Sequence, residues 1–413
     1  MRDKKLNIAF LVSSFPIVSE TFIVNQICDL IDRGHEIRIF AFNRKNEEVI
    51  HQKIKDYSLL KKTVFYEQAY TSKLKRYFPF LKFQFLNSGN VNLKKISANF
   101  RFKEKPLKAF NLDFFYKNKW ILDFGYFDII HVHFGPNAIY IAELKELGFF
   151  QKTKMVTTFH GYDVNPAYIE DHKIKYDTVF KESALLTVNT TYTKLILQKL
   201  TRNRIEILPV GLDTTFFKKI STRKSKDFNI LFLGRLVSFK APELAVEIFK
   251  ILKDRNTTEI FLTIIGEGER KDALQQLIKD YKLEQYIRLK GALAQEEIVK
   301  EMEQADVFIS PGVYDADGRA ENQGLVIQEA QAMELPVIVS DAGGMKYGIK
   351  DGETGFVVKE KGVNAFADKI EMLILNEEAR IKMGKKGREY VVQYYDSKIL
   401  GNKLEKLYYQ LLN

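Results

Sequence analysis

The sequence predicts an α/β protein of two doubly wound halves facing one another across a cleft, and three observations carry that prediction. At 413 residues the chain is longer than one hydrophobic core usually supports. Short, largely apolar segments of strand length alternate with amphipathic helical segments in two successive runs, the pattern of parallel sheets covered by helices on both faces. Between the runs, residues 210–227 are polar and basic without periodicity, as a linker would be. The expected organisation is a first domain over 1–209, a linker over 210–227, a second domain over 228–395 and a closing helix over 396–413 with the option of packing back on the first domain.

The elements follow in order. Residues 6–13 (LNIAFLVS) form a continuous apolar run, expected as a strand buried on both faces. A short loop and Ser19, a suitable helix N-cap, precede an apolar face of Phe22, Ile23, Ile27, Leu30 and Ile31, and Gly34 ends that helix. Residues 36–42 return as a strand, so the loop at Ser14 to Ser19 lies at the carboxyl end of the first strand, where open α/β sheets bind ligands. Residues 45–120 show helical patches without strand rhythm. Strands are expected at 128–133, 154–159, 185–189 and 205–209, with helices near 137–147, from 168, and near 192–200. The second run opens at 229–234 and continues with a helix from Pro242, which suits a first helical turn. Strands at 260–266, 287–291, 306–310, 336–340 and 352–358 alternate with helices at 269–282, 296–304, 364–375 and 377–395.

Hydrophobic content of 46% with charged content of 28% is that of an ordinary soluble globular chain rather than a disordered one. The single cysteine, Cys28, leaves no intramolecular disulfide and falls on an apolar helical face, the setting of an inert buried thiol. The apolar run near the N-terminus is short and passes into a polar turn and an amphipathic helix, and no small-residue cleavage site follows it, so it is expected as a first strand and not a signal peptide. No run approaches the length of a membrane span. A cytoplasmic location is expected, peripheral to the inner face of the cytoplasmic membrane at most.

Net charge is +11, and the stretch from Tyr70 to Lys119 holds twelve basic residues against Glu104 and Asp113. Aromatics such as Tyr77, Phe80, Phe100 and Phe114 interleave them. That combination suits an anionic membrane surface or nucleic acid, against the plainer reading of a solvated helix face. Contact of residues 70–119 with anionic membrane is the expectation, and nucleic acid is not expected.

The chemistry gathers in the second run. Arg235 and Lys240 follow its first strand, next to Gly234, and two cations at the carboxyl end of a parallel strand suit a diphosphate, arginine through its planar fork and lysine as a point charge. Glu321 and Glu329 lie eight residues apart in the stretch from Gly318 to Ser340. If Glu321 begins a helix, the two carboxylates stand about 12 Å apart along its axis, which suits one long polar ligand held at two points. Glu329 could accept hydrogen bonds from a ribose diol, or simply be an exposed helix residue, and backbone amides after Glu321 could meet an anion at a helix N-terminus. Asp315 and Asp317 form an Asp-x-Asp, expected as a loop flanking the site with no metal. His131 and His133 share one face of a strand, and with no third ligand nearby a packed or hydrogen-bonded pair is expected. The absence of Gly-x-Gly-x-x-Gly after the first strand, and of a phosphate-loop Lys-Ser/Thr, argues against a dehydrogenase or nucleotidase.

Glu321 and Glu329 with Ala330, Ala332, Met333 and Pro336-Val-Ile, and Gly234-Arg-Leu upstream, resemble the retaining glycosyltransferases of the GT-B fold, family 4, glycosyl transferases group 1. The resemblance covers 228–360 closely and 1–30 and 128–213 more loosely. It implies two Rossmann-like domains, the first on the acceptor side and the second binding the donor. It implies that Arg235 and Lys240 hold the donor diphosphate, Glu329 the ribose, and Glu321 the hydroxyls of the transferred sugar. His160, in Phe-His-Gly-Tyr-Asp, matches a cleft histidine that contacts that sugar. Gly234, Asn322, Gln323, Gly324 and Leu325 complete the implied donor site, and His160, Arg235, Lys240 and Glu321 are the expected catalytic set. Phe15-Pro-x-x-Ser19-Glu20-Thr21-Phe22 resembles a bacterial exopolysaccharide (colanic-acid-type) subset, which places Ser14, Phe15, Ser19, Glu20 and Thr21 on the acceptor side. Many relatives have a Gly-Gly pair where this chain has Ser13-Ser14, and a glycine where it has Glu334.

The expected function is therefore retaining, metal-independent transfer of a sugar from a nucleoside diphosphate donor, UDP-sugar ahead of GDP-sugar, to a cell-surface polysaccharide or lipid-linked glycan. No cofactor is expected. The alternatives are a nucleotide-sugar epimerase of the same fold and a catalytically silent sugar-nucleotide-binding subunit.

Overall fold

The computed structural model describes residues 4–17, 20–45, 52–66, 118, 120–121, 124, 126–220, 227–255 and 259–413. Ser19 and nearly all of the basic aromatic stretch from Tyr70 to Lys119 lie outside the described residues. The described elements run β1 (Asn7–Phe15), α1 (Thr21–Asp32), β2 (Glu36–Arg44), α2 (Gln52–Asp56), β3 (Thr63–Phe65), β4 (Ile129–His133), α3 (Gly135–Glu146), β5 (Lys154–Phe159), α4 (Ile169–Lys175), α5 (Asp177–Glu182), β6 (Ser183–Val188), α6 (Thr191–Leu197) and β7 (Ile205–Ile207). They continue with β8 (Phe228–Leu233), α7 (Pro242–Arg255), β9 (Ile260–Ile265), α8 (Lys271–Asp280), β10 (Ile287–Leu289), α9 (Gln295–Gln304), β11 (Val307–Ser310), α10 (Leu325–Ala332), β12 (Val337–Ser340), β13 (Gly355–Val358), α11 (Val363–Leu375), α12 (Glu377–Tyr394) and α13 (Ser397–Leu412).

Two parallel sheets result, in the orders β3-β2-β1-β4-β5-β6-β7 and β10-β9-β8-β11-β12-β13. Alternation along each first strand explains why both sheets are covered on both faces. Ile8, Phe10 and Val12 enter one core of the first domain and Ala9 and Leu11 the other; Ile230 and Phe232 part from Leu231 and Leu233 in the same way in the second. The strand order reverses beside β1 and beside β8, so the carboxyl ends of β1, β4, β8 and β11 open onto the crevices where such sheets take ligands. The short edge strand β3 lies in the stretch where no strand rhythm is visible, since three half-buried residues carry too little alternation to read.

The chain crosses between the domains twice, side by side. Leu212 donates to the Tyr395 carbonyl at 3.0 Å and accepts from Ser397 N–H at 2.9 Å, and Thr214 donates to Asp396 at 2.6 Å. After the second crossing α13 lies on α1, and Leu400, Leu404, Leu407 and Tyr408 enter the core of the first domain at helical spacing. His35 with Glu405 at 2.9 Å fixes that contact, and Gly401 gives the needed clearance, because a Cβ there would fall 1.8 Å from Asp29 Oδ2.

Two local expectations are corrected, and one departure from the relatives gains a backbone setting. The helix carrying Glu329 begins at Leu325 after Gly324 at φ +66°, so Glu321 sits in the loop before the helix and not at its start. At the other end of α10 Glu334 holds φ +62°, the left-handed position after a helix that favours glycine, so the departure at this residue keeps the backbone and accepts the strain. The helix α1 starts at Thr21 with Glu20 in the capping position and no side-chain cap bond.

Candidate functional site

The cleft is lined from both sheets. On the second-domain side, β8 ends at Leu233 and passes through Gly234 and Arg235 into a 3-10 turn over Ser238–Lys240. That turn brings Lys240 back against the strand end, its side-chain carbons 3.6 Å from where a Cβ on Gly234 would lie. The Lys240 ammonium pairs directly with Glu321 Oε2, with the two side chains only 11% and 17% exposed. Burial on its own would raise the Glu321 carboxyl, but the Lys240 ammonium and its hydrogen bond, with Arg235 and the Asn322 amide, outweigh it and hold the group below the usual range. Arg235 stays exposed, its guanidinium 5.7 Å from the Phe239 ring centre.

Glu329 lies on α10, 9% exposed, and burial pushes its carboxyl up to about 7 with Lys240 opposing. A carboxylate at this depth gains most from a partner that brings hydroxyl donors to it. The wall opposite comes from the first domain: Thr21, Phe22 and Asn25 of α1 share a pocket with Glu329 and Leu325.

The first-domain side is built around His160, at the end of β5. Asp163 is buried and takes three backbone amides, Gly135 N–H at 2.9 Å on one oxygen and His160 N–H at 3.0 Å and Gly161 N–H at 2.9 Å on the other. Burial raises its carboxyl to about 6 while those amides pull it down, so the group is an anion at neutral pH, locking the turn that presents His160. The His160 ring stacks on His133 at 5.2 Å, and His133 stacks on His131 at 4.6 Å. His133 Nε2 is 3.0 Å from Gln26 Oε1, which can only accept, so Nε2 carries the proton and Nδ1 accepts from His160 Nε2–H at 3.0 Å. Burial holds His133 down at about 3 and His160 well below its ordinary value, keeping both neutral. His131 is satisfied by Tyr408 at 2.5 Å and Thr158 at 2.6 Å, a packed, hydrogen-bonded role.

The structure brings Gly234, Lys240, Glu321, Glu329 and Leu325 to one side of the cleft and His160 and Thr21 to the other, with Arg235 on the loop beside Lys240 and Glu20 capping the helix that carries Thr21. Burial lifts the half-buried Glu20 carboxyl to about 7. Ser14 and Phe15 are 6% and 4% exposed, packed in the first-domain interior and not open to an acceptor. Asn322 and Gln323 also differ from the donor-site expectation, because their side chains turn to the first domain and the crossing. The Asn322 amide donates to the His160 carbonyl at 2.8 Å, while Gln323 clamps the Val210 backbone, accepting from its N–H and donating to its carbonyl at 2.8 Å each. Asp315 caps its own loop, accepting from Asp317 N–H at 3.0 Å and Arg319 N–H at 2.8 Å, and pairs with the Arg319 guanidinium at 2.8 Å.

The second half of the chain, residues 213–390, matches the family model described as glycosyl transferases group 1, and residues 19–216 match that of glycosyltransferase family 4. The amylovoran biosynthesis glycosyltransferase AmsK of Erwinia amylovora is 30% identical over 88% of this chain and 89% of its own length. The chain belongs to glycosyltransferase family 4. A putative colanic acid biosynthesis glycosyltransferase of Escherichia coli, WcaL, is 26% identical over 97% of this chain and 99% of its own. Among solved structures, a glycosyltransferase from Rickettsia africae superposes with a TM-score of 0.69 at 19% identity, covering 100% of both chains. Anabaena HepE in complex with UDP superposes with 0.68 at 15% identity, covering 97% of this chain and 99% of its own. These likenesses fix the fold of this glycosyltransferase as GT-B.

Two features of the glycosyltransferase site escape a reading by sequence. Gly343 and Gly344 form the floor under Glu321 and Asn322: a Cβ on Gly344 would lie 1.9 Å from the Asn322 carbonyl oxygen, and one on Gly343 2.3 Å from that of Glu321. The Gly-Gly pair was the available signal. Gln26 fixes the histidine tautomers from α1, and nothing in its spacing marks it.

Proposed function

We propose that this glycosyltransferase moves a sugar, with retention of configuration, from a nucleoside diphosphate sugar to a hydroxyl of a growing exopolysaccharide or lipid-linked glycan. The observation that carries the reading is the convergence of Lys240, Glu321 and buried Glu329 at the carboxyl end of β8, facing His160 across the cleft. Lys240 and Arg235 offer charge to a diphosphate, Glu329 an acceptor for the ribose diol, and Glu321 hydrogen bonds to the sugar. The names of the relatives, amylovoran and colanic acid biosynthesis, support the acceptor class, and the UDP in the HepE complex supports UDP-sugar ahead of GDP-sugar.

In the reaction the C1–oxygen bond to the diphosphate breaks and the bond from C1 to the acceptor oxygen forms on the same face. The acceptor proton passes to the leaving phosphate oxygen, so no protein base is required. Charge grows on the diphosphate as it leaves, and Lys240 and Arg235 stabilise that charge more in the transition state than in the ground state. Lys240 is released from Glu321 to do so, which frees the carboxylate for the sugar. We place the reaction in the cytoplasm, with residues 70–119 resting on anionic membrane; among the described residues no helix is long and apolar enough to cross one.

A panel of nucleoside diphosphate sugars, followed by thermal denaturation with and without chelator and by NMR of the product linkage, tests the reading. A stabilising UDP-sugar and a product of unchanged anomeric configuration are expected. An inverted product, or no stabilisation by any donor, overturns it.

A further inference from the structure

Glu321 and Asn322 are adjacent but face opposite ways. Glu321 reaches back to Lys240, and Asn322 crosses to the first domain and meets two separate loops there. Its Nδ2 donates to the His160 carbonyl at 2.8 Å, and its Oδ1 accepts from Thr190 Oγ1 and Thr193 Oγ1 at 2.7 Å each. The amide orientation is fixed by these partners, since exchanging N and O would set two oxygens against each other at His160. Glycines clear the space on both sides. A Cβ on Gly161 would fall 2.6 Å from Asn322 Cγ, and Gly344 accepts the backbone from beneath while donating to the Glu321 carbonyl at 2.8 Å. Asn165 adds a parallel contact, donating to the Asp317 carbonyl at 3.0 Å.

We propose that Asn322 is an interdomain latch and positioning residue: it holds the cleft closed on this edge and fixes the loop that aims Glu321 at the sugar opposite His160. The inference rests on the transferase reading for its catalytic consequence, while the latch itself does not. In the open cleft these three hydrogen-bonding partners exchange with water, so only the closed form uses Asn322. The adjacent carboxylate is then set by domain closure as well as by its own domain, and a displacement of the order of 1 Å at such a group costs about 10²-fold in rate.

The test uses the full chain with Lys173→Cys and Lys359→Cys, both exposed and on opposite domains, labelled for distance measurement; Cys28 is buried and stays unlabelled. Asn322→Ala removes the latch from one side. Thr193→Val removes one of its partners from the other while leaving intact the helix-capping bond that the Thr193 N–H donates to Thr190 Oγ1. Without ligand, both variants are expected to show a longer and broader interdomain distance than the parent. With donor and acceptor, Asn322→Ala is expected to lower kcat by about 10²-fold and leave UDP affinity within about threefold. Asn322→Asp, which keeps the acceptor oxygen for both threonines and loses the donor to His160, is expected to fall between. Parental distances in both variants overturn the latch. Open distances with parental kcat overturn the positioning role. Failure of every donor to bind the parent refutes the transferase reading and leaves the distance result standing.

Discussion

Lys240 and Glu321 stand in direct ionic contact, although one comes from the loop after β8 and the other from the loop before α10, 81 residues later in the chain. Both side chains are largely removed from water, so each is the other's main compensation for lost hydration. A double-mutant cycle with Lys240→Ala and Glu321→Ala is expected to show a coupling of about 1–3 kcal/mol in unfolding free energy. Additive single effects would show the pair to be screened. Each single variant is also expected to lose transfer activity by at least about 10²-fold, with UDP affinity falling for Lys240→Ala and holding for Glu321→Ala.

Glu329 makes stability depend on pH. Its carboxyl titrates near 7 in the folded protein against an ordinary value of 4.5. Between those values the folded state keeps a proton that the unfolded state releases, so stability falls as pH rises through that window. The full penalty above pH 7 is about 3 kcal/mol. Glu329→Gln is therefore expected to lose less stability than the parent between pH 5 and 8 in urea denaturation. Parallel curves for the two proteins would contradict the assignment. On the proposed ribose role, UDP affinity in the parent rises from pH 6 to 8, whereas in the variant it is weak and flat.

Gly344 has φ −100°, which any residue can adopt, so Gly344→Ala tests contact alone. The added methyl would meet the Asn322 carbonyl oxygen at 1.9 Å and lift the loop bearing Glu321. Transfer is expected to drop about 10²-fold with the circular dichroism of the parent retained. A parental rate would show that the loop tolerates the shift.

Glu334 is the opposite case, a left-handed residue without a required contact to the site. Glu334→Gly is expected to raise unfolding free energy by about 1 kcal/mol and leave transfer unchanged, as followed by chemical denaturation and initial rates. A loss of stability would mean that the side chain supports the end of α10 in a way the backbone strain conceals.

The two doubly wound sheets were legible in the sequence, because burial on both faces leaves strands such as Asn7–Phe15 and Phe228–Leu233 with apolar cores, Ile8 to Val12 and Ile230 to Leu233, in which consecutive residues are all apolar. The sequence also marked Lys240, Glu321 and Glu329, through the resemblance of their spacing to that of glycosyltransferase family 4. What it could not supply was direction. Ser14 and Phe15 sit in a motif that resembles an acceptor site, yet both are buried, because the sheet is covered on the two faces to which the pleat sends them; Asn322 and Gln323 sit in the donor motif, yet reach the other domain and the crossing. The contacts of Asn322 and Gln323 join residues more than 100 positions apart, made only after the sheets have formed and the domains have met, and no local spacing encodes them.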